Sequence, residues 1–334
     1  NLVLAGAMSL GVIQVFVNYT VQFFEPVRNI AGVFSEMQSA QAAAERVMTL
    51  LDTQPDIVDS PEVVAQFGDN FHPKRENWPE LHGDIDFEHV DFKYQDGERV
   101  LTDFNLHVKA GETIALVGPT GAGKSTVVNL VCRFYEPTGG EIKIDGVDYR
   151  KRSQLWLHSN IGYVLQNPHL FSGTIRENIR YGRLDATDAE VEEAARMVDA
   201  EDFILKFEKG YDTDVGEGGN RLSIGQKLLI SFARALIANP GIFVLDEATS
   251  SVDSGTEQKI QEAIKKTLAG RTSFIIAHRL STIRHADRIL VIQHGEITEQ
   301  GSHAELIRQK GYYYNLYTNQ FREERENALL GIKD

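Results

Sequence analysis

At 334 residues the chain exceeds the roughly 100 to 200 residues of one ordinary compact domain, so it is read as one large domain with an appendage. Apolar residues make up 42% and charged residues 25%, a balance that excludes a disordered chain or, for most of the length, a polytopic membrane protein. Acidic residues outnumber basic ones, 48 to 34, for a net charge of −14, which argues against a general nucleic-acid surface.

The sequence begins at Asn1 rather than methionine, so upstream residues are expected, and it shows no secretory signal pattern. No charged residue occurs from Asn1 to Phe24. As a helix that stretch would rise roughly 36 Å, enough for a bilayer core of about 30 Å. Gln14, Asn18 and Gln22 recur every four residues and share one side of such a helix, so one side is suited to lipid and the other to a wet cavity or neighbouring helices. A buried or amphipathic helix of a soluble domain is the alternative reading. Beyond Glu25-Pro26 a more polar helical pattern runs on to Leu51, and residues 52–82, with Pro55, Pro61, Pro73 and Pro79, read as a linker.

From Gly83 short β-like runs appear, Ile85 to Phe87, Val90 to Tyr94 and Thr113 to Val117. Helical stretches are predicted near Ser125 to Phe134, Asp188 to Ala200 and Ser223 to Ala238. Apolar strands are predicted at Ile242 to Leu245, Ser273 to Ala277 and Ile289 to Ile292. A β-rich start followed by alternating helices and strands predicts an α/β domain with a mainly parallel sheet. The tail beyond Phe321, dense in Glu and Arg, reads as a solvated end. The single cysteine, Cys132, excludes an internal disulfide framework and sits in an apolar stretch that suits a buried structural thiol.

The run from Gly118 through Thr120, Gly121, Ala122, Gly123 and Lys124 to Ser125 matches the P-loop pattern, between an apolar strand and a helix as that pattern requires. Its glycines let backbone N–H groups and a helix N-terminus face the phosphates of a nucleotide. Lys124 adds a cation, the Ser125 hydroxyl suits Mg²⁺, and Thr126 can donate to a phosphate oxygen. The strand Ile242 to Leu245 ends in Asp246 and Glu247, where Asp246 suits the Mg²⁺ shell and Glu247 suits a base that orients or deprotonates water.

Further segments, in their order, make the chain resemble the ATP-binding-cassette (ABC) family. Leu222-Ser223-Ile224-Gly225-Gln226 is similar to that family's signature, Gln166 occupies the place of its Q-loop glutamine, and Ser250-Ser251-Val252-Asp253 resembles its D-loop. His278 stands where the switch histidine would be, and Tyr94 matches the aromatic residue that stacks on adenine. The loop from Asp214 to Gly218, the Pro26 helix and the run Ala42 to Arg46 resemble the exporters of that family.

The resemblance implies a P-loop cassette with a mainly parallel sheet, an antiparallel β subdomain and a helical subdomain, preceded by a long helix running from membrane to cytosol. It divides the chain into the end of a transmembrane domain (1–51), a linker (52–82), a nucleotide-binding domain (83–321) and a charged tail (322–334). The implied function is hydrolysis of ATP with Mg²⁺, coupled to export across the cell membrane. Glu247, His278 and Gln166 would then be catalytic, and Ser125, Gln166 and Asp246 would hold the metal. ATP would be bound by Tyr94, residues 118 and 120–126, Gln166 and, for the partner's nucleotide, Ser223, Gly225 and Gln226. The implied partners are the lipid bilayer and a second half-transporter, whose signature completes this P-loop's site; no nucleic acid is expected. Ile224 departs from the family's glycine. A β-branched residue resists φ > 0 there and crowds a phosphate approaching the backbone, so a heterodimer with one weakened site is expected rather than a homodimer with two; the alternative is that Ile224 keeps φ < 0 and still donates its N–H. A soluble cassette ATPase acting on DNA ends or ribosomes, or a regulatory module that does not turn over, are the competing readings.

Overall fold

The computed structural model describes residues 9–95, 97–246, 254–276, 283–284 and 286–319. The chain divides into two units, Asn1–Asp56 and Ile57–Asp334.

The first unit is one helix, α1 (Leu10–Asp52), 43 residues long, that continues through Pro26 and buries none of its side chains. Thr20 and Thr49 donate their hydroxyls back to the carbonyls of Phe16 and Glu45, each at 2.8 Å, a local bond that lets threonine sit inside a helix. Among the described residues no helix is long and apolar enough to cross a membrane. Gln14, Asn18 and Gln22 interrupt the apolar run of α1, and residues 1–8 lie outside the described residues.

The second unit starts inside the stretch read as a linker. Helix α2 (Pro61–Phe67) carries proline at its first position, where the missing N–H is no loss, Ser60 caps it, and Val63 and Phe67 are buried. Farther on, Trp78 and Leu81 pack on the core, and the Pro79 carbonyl accepts the Trp156 indole N–H at 2.9 Å. Pro61 thus starts a helix, and Pro79 lies in a loop docked on the core.

Strands β1 (Ile85–Lys93) and β2 (Arg99–Val108) come next. The two short runs read at 85–87 and 90–94 are one strand with a register shift between Phe87 and Val90, where His89 takes φ 50. After β3 (Thr113–Val117) and α3 (Lys124–Val131), strands β4 (Gly139–Ile144) and β5 (Val147–Asp148) join the first two in an antiparallel sheet ordered β2-β1-β4-β5. Then follow α4 (Gln154–Ser159), β6 (Ile161–Val164), and the helices α5 (Ile175–Arg180), α6 (Asp188–Met197), α7 (Glu201–Ile204) and α8 (Ile224–Ile237). The chain continues with β7 (Ile242–Asp246), α9 (Ser254–Leu268), β8 (Thr272–Ile276), β9 (Arg288–Gln293), β10 (Glu296–Gly301) and α10 (His303–Gln309).

The six-stranded sheet has the order β10-β9-β3-β8-β7-β6. Its strands from β9 to β6 pair in parallel and β10 closes one edge antiparallel. Ala115 and Val117 of β3 enter one core with α8 and α9, while Ile114 and Leu116 enter a second with α3 and the antiparallel sheet. A strand covered on both faces needs an unbroken apolar run, which is what Ile114 to Val117 supplies. The α/β class with a mainly parallel sheet, an antiparallel sheet and a group of helices is the fold observed.

Candidate functional site

The parallel strands deliver the site residues to one edge of the sheet. β3 ends at Val117 and runs into the P-loop, β6 ends at Val164 two residues before Gln166, and β7 ends at Asp246 beside Ile276 of β8. In parallel sheets ligands bind outside these carboxyl ends. Glu247, the 250–253 segment and His278 lie outside the described residues, as do residues 320–334. The strands that lead to Glu247 and His278 end at this same edge.

Each P-loop glycine has its own reason. Gly118, at φ +151, passes so close to β9 that an added Cβ would stand 2.1 Å from the Ile292 carbonyl oxygen. Gly121, at φ +80, has nothing within 4 Å of that position, so its backbone borders open space. Gly123, at φ 105, is the N-cap of α3, and a Cβ there would meet Leu101 at 3.1 Å. Thr120, Gly121 and Ser125 are exposed, whereas Ala122, Gly123 and Thr126 are buried. The loop is closed by Lys124, whose ammonium donates to the carbonyls of Gly118 and Pro119 at 2.7 and 2.8 Å. Burial holds this ammonium below the usual lysine range, and the nearby Asp246 carboxylate opposes that shift.

Tyr94, just past β1, is joined to the P-loop helix by a hydrogen bond of 3.1 Å between its hydroxyl and that of Thr126. Its ring meets Phe92 and Tyr135 edge to face, at 4.9 and 5.1 Å. Tyr135 is half-exposed and belongs to this aromatic corner, although nothing in its sequence context singled it out. Tyr163 on β6 has its phenol pushed up to about 12 by burial and by the Asp246 carboxylate.

Gln166 is exposed. Ser223 and Gln226 form a reciprocal cap at the start of α8: the Gln226 N–H donates to Ser223 Oγ at 3.2 Å, and the Ser223 N–H to Gln226 Oε1 at 3.0 Å. Gly225 is buried. The structure brings Tyr94, the P-loop and Asp246 together, while among the described residues Ser223 and Gln226 bond to each other and not to the loop 118–125. Ile224 opens α8 directly after the cap and is not among the residues with positive φ. Of the two readings of Ile224 the backbone follows the second, without strain: the cap sets a helical conformation there, and what departs from glycine is its half-exposed side chain. The loop before the signature bends through Gly216, Gly218 and Gly219, all at positive φ, and the Asp214 carboxylate accepts the Gly216 N–H at 2.8 Å.

These features fit a nucleotide with its divalent cation. The loop around Gly121 is open, α3 presents its first turn to that space, and the exposed Ser125 hydroxyl and Asp246 carboxylate supply hard oxygen donors. Fold and site together define a P-loop nucleotide-binding cassette.

The ABC transporter family matches residues 101–250. The chain is 50% identical over 320 residues to an uncharacterized ABC transporter ATP-binding protein of Bacillus subtilis, covering 96% of this chain and 51% of that protein. It is 49% identical to a fatty acid ABC transporter ATP-binding/permease protein of Mycobacterium bovis, over 94% of this chain and 48% of the relative. A bacterial Atm1-family ABC exporter solved with ATP bound superposes with TM-score 0.74 at 39% identity, over 92% of this chain and 52% of that one. The chain therefore belongs to the ABC transporter family and carries its ATP-binding domain. It spans about half the length of the curated relatives it matches.

Proposed function

We propose that this chain is the ATP-hydrolysing part of an ABC exporter subunit, coupling ATP binding and hydrolysis to movement of a substrate across a membrane. The observation that carries this reading is the single sheet edge at which the P-loop, Gln166, Asp246 and the strand leading to His278 arrive. The fatty acid transporter and the Atm1-family exporter among the similar proteins support the transport half of it.

In this reading the P-loop amides and Lys124 bind the phosphates, and Tyr94 offers its ring to the adenine with Tyr135 bracing it. Ser125, Gln166 and Asp246 would hold Mg²⁺, which when bound supplies positive charge against the phosphate oxygens. Glu247 orients and deprotonates the attacking water, and His278 contacts the terminal phosphate. Removing the Glu247 carboxylate removes the proton acceptor while leaving the cradle in place.

Ser223, Gly225 and Gln226 serve the P-loop of a second subunit, so that two cassettes close head to tail on ATP. We favour a heterodimer. Ile224 places a branched side chain where the partner's nucleotide would approach, and a homodimer would place it in both sites. The first unit belongs to a membrane-spanning domain in this reading, with the Gln14, Asn18 and Gln22 side turned from lipid. The test is phosphate release by the full-length chain in lipid, purified without any other ABC subunit. Slow release that rises when a partner subunit is added supports the assembly. Vigorous release alone removes the heterodimer, and none with either preparation removes the ATPase.

A further inference from the structure

The P-loop helix ends in an unusual way. At the C-terminus of α3 the Arg133 N–H donates to the Leu130 carbonyl at 3.0 Å and the Phe134 N–H to that of Asn129 at 2.9 Å, the pair of bonds that closes a helix through a left-handed residue. Glycine is the usual occupant of that position, because a side chain is strained there. Here it is Arg133, at φ 52.

The side chain explains why the strain is kept. Arg133 is 2% exposed, and its guanidinium donates to Asp59 at 2.9 Å, to Glu136 at 2.8 Å and to the Arg152 carbonyl at 3.1 Å. The same Asp59 carboxylate accepts the Gln154 N–H at 3.0 Å, at the start of α4. A buried charge-assisted network of this kind has a defined geometry, and removing one partner leaves the other unpaired. Asp59 therefore holds two elements at once. One is α3, whose other end is the phosphate cradle. The second is α4, which runs through Asn160 into β6 and so to Gln166. The two elements are also joined directly, His158 of α4 lying 2.9 Å from the Cys132 carbonyl. In the sequence only Ile57 and Val58 separate Asp59 from Asp56, the last residue of the helical unit.

We propose that Asp59 is a positioning residue that ties the segment leaving the helical unit to both arms of the nucleotide site, so that occupancy of the P-loop is felt at residues 57–60. Buried helices move as bodies. A shift of α3 at its loop end is thus passed to Arg133 and, through the ion pair, to Asp59. This rests on the P-loop reading above.

The experiment is amide hydrogen exchange over residues 57–60 of the full-length chain with and without Mg-ATP, alongside direct titration of ATP. In the wild-type chain ATP slows exchange in this segment. Asp59→Asn reduces that slowing by about fivefold or more, the scale of coupling between sites, while ATP affinity changes by less than about fivefold, and Asp59→Glu restores part of it. Arg133→Gly, whose backbone suits the left-handed position, gives the same loss with the fold retained. Slowing that persists unchanged in Asp59→Asn or Arg133→Gly overturns the proposal. So does a wild-type chain that binds ATP with no change at 57–60. A wild-type chain that fails to bind ATP in the titration overturns the nucleotide-site reading itself, and the proposal with it, by a separate signal.

Discussion

The ammonium of Lys124 donates to the carbonyl oxygen of Gly118 at 2.7 Å, so that the lysine closes the loop onto its own first residue. The cation thus organises the loop backbone as well as offering charge to a phosphate. Lys124→Ala is expected to weaken ATP binding by at least about tenfold, and turnover with it. A fluorescent-nucleotide titration checks this, and unchanged affinity would remove Lys124 from the cradle.

Two glycines of the same loop should respond differently to one methyl group. Gly118→Ala drives a Cβ into the Ile292 carbonyl oxygen, whereas Gly121→Ala meets no neighbouring atom and strains only its φ of +80. The first is expected to destabilise the ATP-free protein by about 2 kcal/mol or more, lowering Tm by roughly 4 to 8 °C. The second should stay within about 1 to 2 kcal/mol, the strain of a left-handed residue. Calorimetric scans of the two variants without nucleotide would show the order, and equal shifts would contradict it.

Cys132 is fully buried and its thiol is pushed up to about 12 by burial. At pH 8 the thiolate fraction is then about one in ten thousand, against roughly a quarter for a free cysteine. The native chain is expected to resist a maleimide at pH 8 for hours and to react promptly in denaturant. Prompt labelling of the native protein would show that the C-terminal end of α3 opens.

An inert native cysteine makes α1 open to labelling studies. Cysteines placed at Gln14, Asn18 and Gln22 should react with a water-soluble thiol reagent in lipid at least about tenfold faster than cysteines at Phe16 and Phe23, because a side facing a wet cavity admits the reagent and a side facing lipid does not. Equal rates on both sides would end the claim that α1 is sided in a membrane.

How much of this was legible in the sequence depends on the range of the interaction. The P-loop, Asp246 and the strands before them were readable because strand, turn and helix are neighbours in the chain. The Ser223 cap is equally local: its reciprocal Gln226 bond fixes Ile224 as the first helical residue and so decides between the two backbone readings of that position. The proline-rich stretch 52–82 read as a linker because its anchors lie far away in sequence. Asp59 meets Arg133 across 74 positions, and the Asp145 carboxylate takes the N–H groups of His82, Gly83 and Asp84. Tyr135 was passed over for a similar reason, since only the fold turns it toward Tyr94.

The central claim, that this sheet edge hydrolyses ATP, turns on Glu247, the residue after Asp246. The most direct measurement is ATP affinity and steady-state phosphate release for Glu247→Gln in the full-length protein, side by side with the wild type. The amide keeps the shape of the side chain and loses the proton acceptor, so affinity should stay within about threefold while release falls by well over tenfold, more than about 1.4 kcal/mol of barrier. Release that fell by less than about tenfold, with ATP still bound, would contradict the account and place the base elsewhere.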